Sequence, residues 1–250
     1  MADQTVIKFD PYGHAETGLQ TWEPIPREII ASGDPVQRGH QYFGTESERI
    51  TSGVWDCTTH ALKREPYEVD EFMIVLEGSI SIEDKSGHTE TFRAGERFII
   101  PKGTDCVWKQ SEYARKYYFI HDNPSSSTPE NAEDLGTIRI DLSAELPEVT
   151  DHDASLYLSD IPDMGMSVLY SDPAGKFAAG IWDCSPMKRV PTTIERSELM
   201  HILEGSGSIT NADGVVFSFK AGDTFLVPIG MGYQWQNDEY VKKVFCSYTP

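Results

Sequence analysis

Gly53-Val-Trp-Asp-Cys57 is repeated as Gly180-Ile-Trp-Asp-Cys184, and the same shift carries Leu76-Glu-Gly-Ser79 onto Leu203-Glu-Gly-Ser206. Without a gap, the register also aligns Glu71 with Glu198, Ala94-Gly95 with Ala221-Gly222, Pro101 with Pro228, Gly103 with Gly230 and Trp108 with Trp235. Roughly 24 of about 68 positions between Gly53/Gly180 and Ile120/Ser247 are identical, too many in one register for unrelated segments. The chain is a duplicated domain. A solenoid needs at least about three stacked units, so each of the two copies is expected to carry its own core.

Working outward, Asp122–Asp134 is rich in Pro, Ser and acids and reads as a surface connection, its Ser125–Ser127 run being linker chemistry rather than a nucleophile motif. The expected organisation is an N-terminal domain over residues 1–122, a linker over 123–136 and a C-terminal domain over 137–250. Thr137-Ile-Arg-Ile140, with alternating Ile, is expected as a lead-in strand to the second copy.

Within each copy the pattern is short strands and tight turns. Phe72–Leu76 stops at Gly78, Ser79–Ile82 alternates, and Asp84-Lys-Ser-Gly87 predicts a hairpin turn that Asn211-Ala-Asp-Gly214 repeats. Arg97–Ile100 and Thr224–Val227 each end in a Pro-x-Gly turn, and Lys116–Ile120 and Lys243–Cys246 close the copies. No stretch of ten or more residues carries a helical stripe, so the expected class is all-β, with two tandem jelly-roll barrels.

The 250 residues are 39% hydrophobic and 24% charged, which excludes a disordered chain. Lys and Arg number 21 against 40 Asp and Glu, a net charge of −19 that repels phosphate backbones and anionic headgroups, so neither nucleic acid nor membrane is expected as a partner. The N-terminal stretch lacks a secretion signal, and four sparse cysteines without a CxxC pair point to a reduced, cytoplasmic setting.

The repeated motifs resemble the cupin superfamily. Glu71 to Gly78 and Glu198 to Gly205 match the end of the first cupin motif, and Gly95 to Gly103 and Gly222 to Gly230 match the second. The strings around them are similar to the subgroup of ethanolamine-utilisation and ureidoglycine aminohydrolase-like bicupins. The resemblance implies two barrels joined as an intramolecular pseudo-dimer, with a homodimer of whole chains left open.

Metal-binding cupins place two His before the first-motif Glu and a third after the second-motif Gly. Here those places hold Glu65 and Tyr67 (or Arg64 and Pro66) and Cys106 in copy one, and Thr192 and Ile194 (or Pro191 and Thr193) and Tyr233 in copy two. No cofactor is therefore expected, and a divalent metal, if held at all, would use Glu65, Glu71 and Cys106.

If Glu71 faces inward, strand alternation takes Met73 with it, and Cys106 takes Trp108 and Gln110; Tyr233, Trp235 and Asn237 follow in copy two. A carboxylate buried without a metal needs a cation, and Lys116 and Lys243 are the candidate partners of Glu71 and Glu198. Glu71, Lys116, Tyr67 and Glu65 are thus the candidate catalytic residues. Trp108, Cys106, Met73, Gln110, Glu198, Tyr233, Trp235 and Lys243 are the candidate binding residues, and copy one, with more polar inward candidates, is the expected active half. Trp55 and Cys57, with Trp182 and Cys184, read as core packing.

A small-molecule-binding bicupin follows, with three functions open. One is a metal-independent enzyme of amine, amide or amino-acid-derived compound catabolism. Another is a non-catalytic metabolite-binding regulator, and the third a metal-dependent hydrolase or oxygenase with atypical ligands. A carboxylate beside aromatic faces suits a cationic ligand, whereas lysines left free of the glutamates would suit a carboxylate.

Overall fold

A computed structural model describes residues 5–122 and 128–250; the Ser125–Ser127 run and the first part of the expected linker lie outside the described residues. The chain divides into two compact units, one built on residues 9–140 with 172–174, the other on residues up to Lys8 with 141–171 and 175–250. Each is a pair of antiparallel sheets. Among the described residues the only α-helix is the single turn Ala132–Leu135, and no helix is long and apolar enough to cross a membrane.

In the N-terminal unit a seven-stranded sheet runs in the order Ile138–Arg139, Arg97–Ile100, Asp70–Glu77, Ala114–His121, Ile50–Cys57, Gln37–Thr45, Gln20–Thr21. It faces a sheet of Thr89–Arg93, Ser79–Asp84, Asp105–Gln110, His60–Leu62 and Ile30–Gly33, with Glu65–Pro66 paired to Asp105–Gln110. The C-terminal unit repeats the plan with Ile7–Lys8, Thr224–Val227, Ser197–Glu204, Val241–Tyr248, Phe177–Cys184 and Met164–Ser171 in one sheet. Its other sheet holds Met187–Lys188, Gly232–Asn237, Ser206–Asn211 and Val216–Lys220, with Thr192–Thr193 alongside.

Alternation sets what fills each interior. Ile80 and Ile82 are buried while their neighbours are only half-buried, and with the stacked Phe92 and Phe98 they form the apolar part of the first core. Ile209, Phe219 and Phe225 do the same in the second. The Asp84–Gly87 and Asn211–Gly214 turns form where expected: Asp84 Oδ1 accepts from Ser86 N at 2.8 Å and His88 N at 3.1 Å, and Asn211 Oδ1 from Asp213 N at 3.0 Å and Val215 N at 2.8 Å.

The lead-in strand differs from expectation. Ile138–Arg139 pairs with Arg97–Ile100, in the N-terminal unit, through Phe98↔Arg139 and Ile99↔Ile138. Its pseudo-equivalent in the C-terminal unit is Ile7–Lys8, which pairs with Thr224–Val227 through Ile7↔Leu226 and Lys8↔Phe225. Each unit thus completes its sheet with a strand drawn from the other side of the sequence repeat. Glu90 and Glu96 fix Arg139, and Asp223 takes Lys8 at 2.8 Å, so a local carboxylate anchors each borrowed strand.

The motif glycines Gly78 and Gly205 are required by close approach as well as by conformation. Their φ values are 69° and 80°, and a Cβ would stand 1.9 Å from Tyr113 O and 2.0 Å from Tyr240 O. Gly87 has a φ of 87° but nothing within 4 Å of its absent Cβ. Gly78→Ala is therefore expected to destabilise by about 2–4 kcal/mol and Gly87→Ala by only about 1 kcal/mol. Urea denaturation of both variants checks the difference, and equal losses would show that backbone conformation alone matters.

Candidate functional site

Lys116 lies opposite Val75 on one side and Trp55 on the other, in the strand between Asp70–Glu77 and Ile50–Cys57. From there its stem reaches back past Met73 to Glu71, inward residues of the same strand face. Nζ is 2.7 Å from Glu71 Oε1 and 3.0 Å from Met73 Sδ, and it sits 5.0 and 4.7 Å from the ring centroids of Trp55 and Trp108. The two indoles meet edge to face at 89° and box the ammonium, a cation–π arrangement strengthened by burial. The Tyr67 phenol donates to the other carboxylate oxygen, Glu71 Oε2.

The indoles are held in turn. Trp55 Nε1 donates to Gln37 Oε1 at 2.9 Å and Trp108 Nε1 to Gln110 Oε1 at 3.3 Å, while Gln110 Nε2 donates to Cys57 O at 2.6 Å. Gln110 therefore positions Trp108 rather than facing the cavity. Burial pushes the Lys116 ammonium down and Glu71 pulls it back; burial and the neighbouring Glu71 push the Tyr67 phenol well up. The resulting cavity, about 280 Å³, is walled by Trp22, Trp55, Tyr118 and the Glu71–Lys116 pair.

The C-terminal unit rebuilds the pair with a different second partner. Lys243 Nζ lies 2.7 Å from Glu198 Oε1 and 3.3 Å from Met200 Sδ, and 4.8 and 5.2 Å from the rings of Trp182 and Trp235, which cross at 83°. Where Tyr67 completes Glu71, here Arg196 Nε donates to Glu198 Oε2 at 2.6 Å. Burial alone would push the Glu198 carboxyl up, but Lys243 and Arg196 outweigh it and hold it at about 2. Asn237 accepts from Trp235 Nε1 at 2.8 Å and donates to Glu239 O at 2.7 Å, the counterpart of Gln110. The cavity is larger, about 350 Å³, and is bounded by half-buried Trp182, Tyr233 and Arg189 and by exposed Met166 and Val168.

The expected pairs of Glu71 with Lys116 and Glu198 with Lys243 are thus brought together, with Tyr67, Met73, Trp108 and Trp235 around them. Two expectations are corrected. Glu65 is exposed, on a two-residue strand whose register sets it beside Cys106 with its side chain in solvent rather than in the barrel. Cys106 is buried in the apolar core, where burial pushes its thiol up to about 11, so it is a neutral packing group.

The donor set does not fit a metal. Both oxygens of each motif Glu are engaged by side chains, Glu65 is outside and Cys106 is protonated; the ammonium of Lys116 or Lys243 occupies the charge-balancing role that a cation would take. Among the described residues one trio, Asp70, His121 and Asp172, brings a ligand atom from each within 4.8 Å of the others. Asp70 lies on the strand face opposite Glu71, and its Oδ1 accepts from Lys102 N at 3.0 Å.

Sequence reasoning missed Trp55 and Trp182 as site residues, and with them Arg189 and Arg196. The signal was present for the tryptophans, since GVWDC and the equivalent Lys are repeated together and turn out to be cross-strand neighbours. Cys57 and Cys184 behave as expected, buried thiols pushed up to about 11 and about 12.

Comparison with known proteins places these features. No curated protein matches the sequence. A structure from Pseudomonas syringae pv. tomato, of unknown function and assigned to the DUF861 family, is similar at 24% identity and a TM-score of 0.79, covering 98% of this chain and 99% of that one. A cupin 2 conserved barrel domain protein from Leptotrichia buccalis is similar at 12% identity and 0.59, over 92% and 98% of the two chains. Protein Ylba from E. coli follows at 12% and 0.51, over 90% and 94%. At these identities the likeness shows the fold. The model of the EutQ-like cupin domain matches twice, over residues 44–118 and 171–245, spanning both glutamate–lysine pairs, and the chain belongs to that family as a cupin with two tandem domains.

Proposed function

We propose that this protein binds a small molecule in its C-terminal barrel, at the mouth of the Glu198–Lys243 pair, and that the smaller cavity of its N-terminal barrel is not the working site. The observation that carries this reading is the contrast between two cavities built on the same plan. In the N-terminal barrel, Lys116 and Tyr67 take both oxygens of Glu71, Trp55 donates its indole N–H to Gln37, and the space left is about 280 Å³. That saturation, which Glu198 shares through Lys243 and Arg196, leaves no free base on either glutamate and argues against seating acid–base chemistry on them, so the contrast lies in the cavities.

In the C-terminal barrel the cavity is about 350 Å³, at the lower end of the range for small-ligand sites. Trp182 carries no indole hydrogen bond among the described residues, because Met164 opposes Cys184 where Gln37 opposes Cys57 in the other copy. A donor, two aromatic faces and several charged groups therefore converge on space that protein atoms do not fill, which is how binding sites are built. The fixed ammonium–carboxylate pair at its base orients rather than reacts.

A thermal-shift screen of small metabolites against the whole chain tests it. Ala178 lines the C-terminal cavity and Thr51 the N-terminal one. Ala178→Phe is expected to abolish ligand-induced shifts of several degrees, while Thr51→Phe leaves them unchanged. The opposite pattern would move the working site to the N-terminal barrel.

A further inference from the structure

Four charged side chains line the C-terminal cavity: Glu198, Lys243, Arg196 and Arg189. One carboxylate faces three cations, in a chain whose net charge is −19. The surplus is local and is absent from the other copy, where Lys116 and Glu71 are the charged groups on the cavity and balance each other. A pair of related barrels in one chain thus supplies its own control.

The surplus cations are poorly served by the protein. Arg196 gives only Nε to Glu198, and its side chain is half exposed, with terminal nitrogens that carry no protein hydrogen bond among the described residues. Arg189 has no carboxylate partner among the described residues; its guanidinium lies 5.8 Å from the Tyr157 ring centroid and hydrogen-bonds the Tyr233 hydroxyl, while its buried Nε lacks an acceptor. Burial pushes the Tyr233 phenol up and Arg189 partly offsets it, so the hydroxyl stays protonated as a further donor. A buried donor without an acceptor, here Arg189 Nε, is unfavourable, and an ionised acceptor is the group that removes the penalty most completely.

Much of the remaining lining is apolar and adaptable. Met164, Met166, Met187 and Met200, four of the chain's seven methionines, line this cavity. Register equates Met187 with His60 and Met164 with Gln37 of the N-terminal unit, so polar positions of one copy are thioethers in the other. Methionine fits itself to irregular or flat apolar surfaces and packs well on rings.

Resting on the reading that this cavity is the binding site, we infer that its ligand is a small organic carboxylate carried on an apolar body. Arg189 and Arg196 engage the carboxylate, and the methionine and tryptophan walls engage the body. A cationic ligand is disfavoured by the same surplus, even though the exterior of the protein is acidic.

Isothermal titration of the full chain with benzoate, benzamide and benzylamine, three probes of like shape and different charge, tests the assignment. Benzoate is expected to bind at least about tenfold more tightly than benzamide, with benzylamine weakest. Arg189→Met is expected to weaken benzoate by about tenfold to a hundredfold and to leave benzamide within about threefold, while Arg189→Lys retains an intermediate affinity. The lysine variant keeps the test decisive should Arg189→Met fold poorly. Equal affinity for benzoate and benzamide, or preference for benzylamine, would overturn the anionic ligand while leaving the cavity as a binding site. No heat from any of the three at millimolar concentration, in wild type and in Ala178→Phe alike, would overturn the site itself.

Discussion

Lys116→Met is expected to destabilise the N-terminal unit by about 3–5 kcal/mol, because it leaves the Glu71 carboxylate buried beside a neutral phenol and two indoles. The pair is enclosed, with side-chain exposures of 7% for Lys116 and 4% for Glu71, so solvent cannot replace the lost charge. The double variant Glu71→Gln/Lys116→Met should recover most of that loss: the amide still accepts from Tyr67 and no charge remains to be compensated. Lys243→Met provides the comparison. Arg196 remains on Glu198 there, so the loss is expected to be about 1–2 kcal/mol smaller than for Lys116→Met. Urea denaturation of the four proteins measures all three differences. A loss below about 1 kcal/mol for Lys116→Met would mean that the pair is not ionised in the folded protein.

The second large effect is acid sensitivity seated on Glu198. Its carboxyl is held at about 2 against an ordinary value of 4.5. A carboxyl lowered on folding contributes stability above its unfolded value, and that stability is lost as pH falls through the interval toward the folded value. The full contribution, about 3 kcal/mol, is therefore present at pH 5 and above, and about 2 kcal/mol of it is gone by pH 3. The lysines act in the alkaline limb instead. Burial lowers Lys243, so the unfolded chain holds its proton to higher pH and stability gains there as pH rises. Urea midpoints of wild type and Glu198→Gln at pH 5 and pH 3 isolate the carboxylate: the wild type should lose about 2 kcal/mol more than the variant. Parallel losses would remove Glu198 from the acid response.

Much of this was legible before any coordinates. The duplication, the strand pattern, the turn residues and the two glutamate–lysine pairs can all be read from the repeat, since a buried carboxylate without histidines demands a cation and each copy offers one Lys at the same place. What could not be read depends on neighbours across the sheet. Trp55 resembles a core residue until the register sets it opposite Lys116. Glu65 resembles an inward ligand until its strand is found to be two residues long, with its side chain outside. Arg196 aligns with Val69 inside the repeat, so the duplication gives it no shared role. Only the geometry shows it completing Glu198 and turning copy two, rather than copy one, into the charged cavity.

The borrowed strands bear on how the protein can be taken apart. Ile7–Lys8 completes the C-terminal sheet and Ile138–Arg139 the N-terminal one, so the segment 9–140 that builds the first unit begins after a strand that belongs to the second. A cut in the connection near residue 130 would give two fragments, each missing an edge strand and each carrying a strand it cannot use. The two copies are consequently inseparable by a single scission, and any attempt to recombine halves from different relatives would have to exchange the Ile7–Lys8 strand together with the distal barrel.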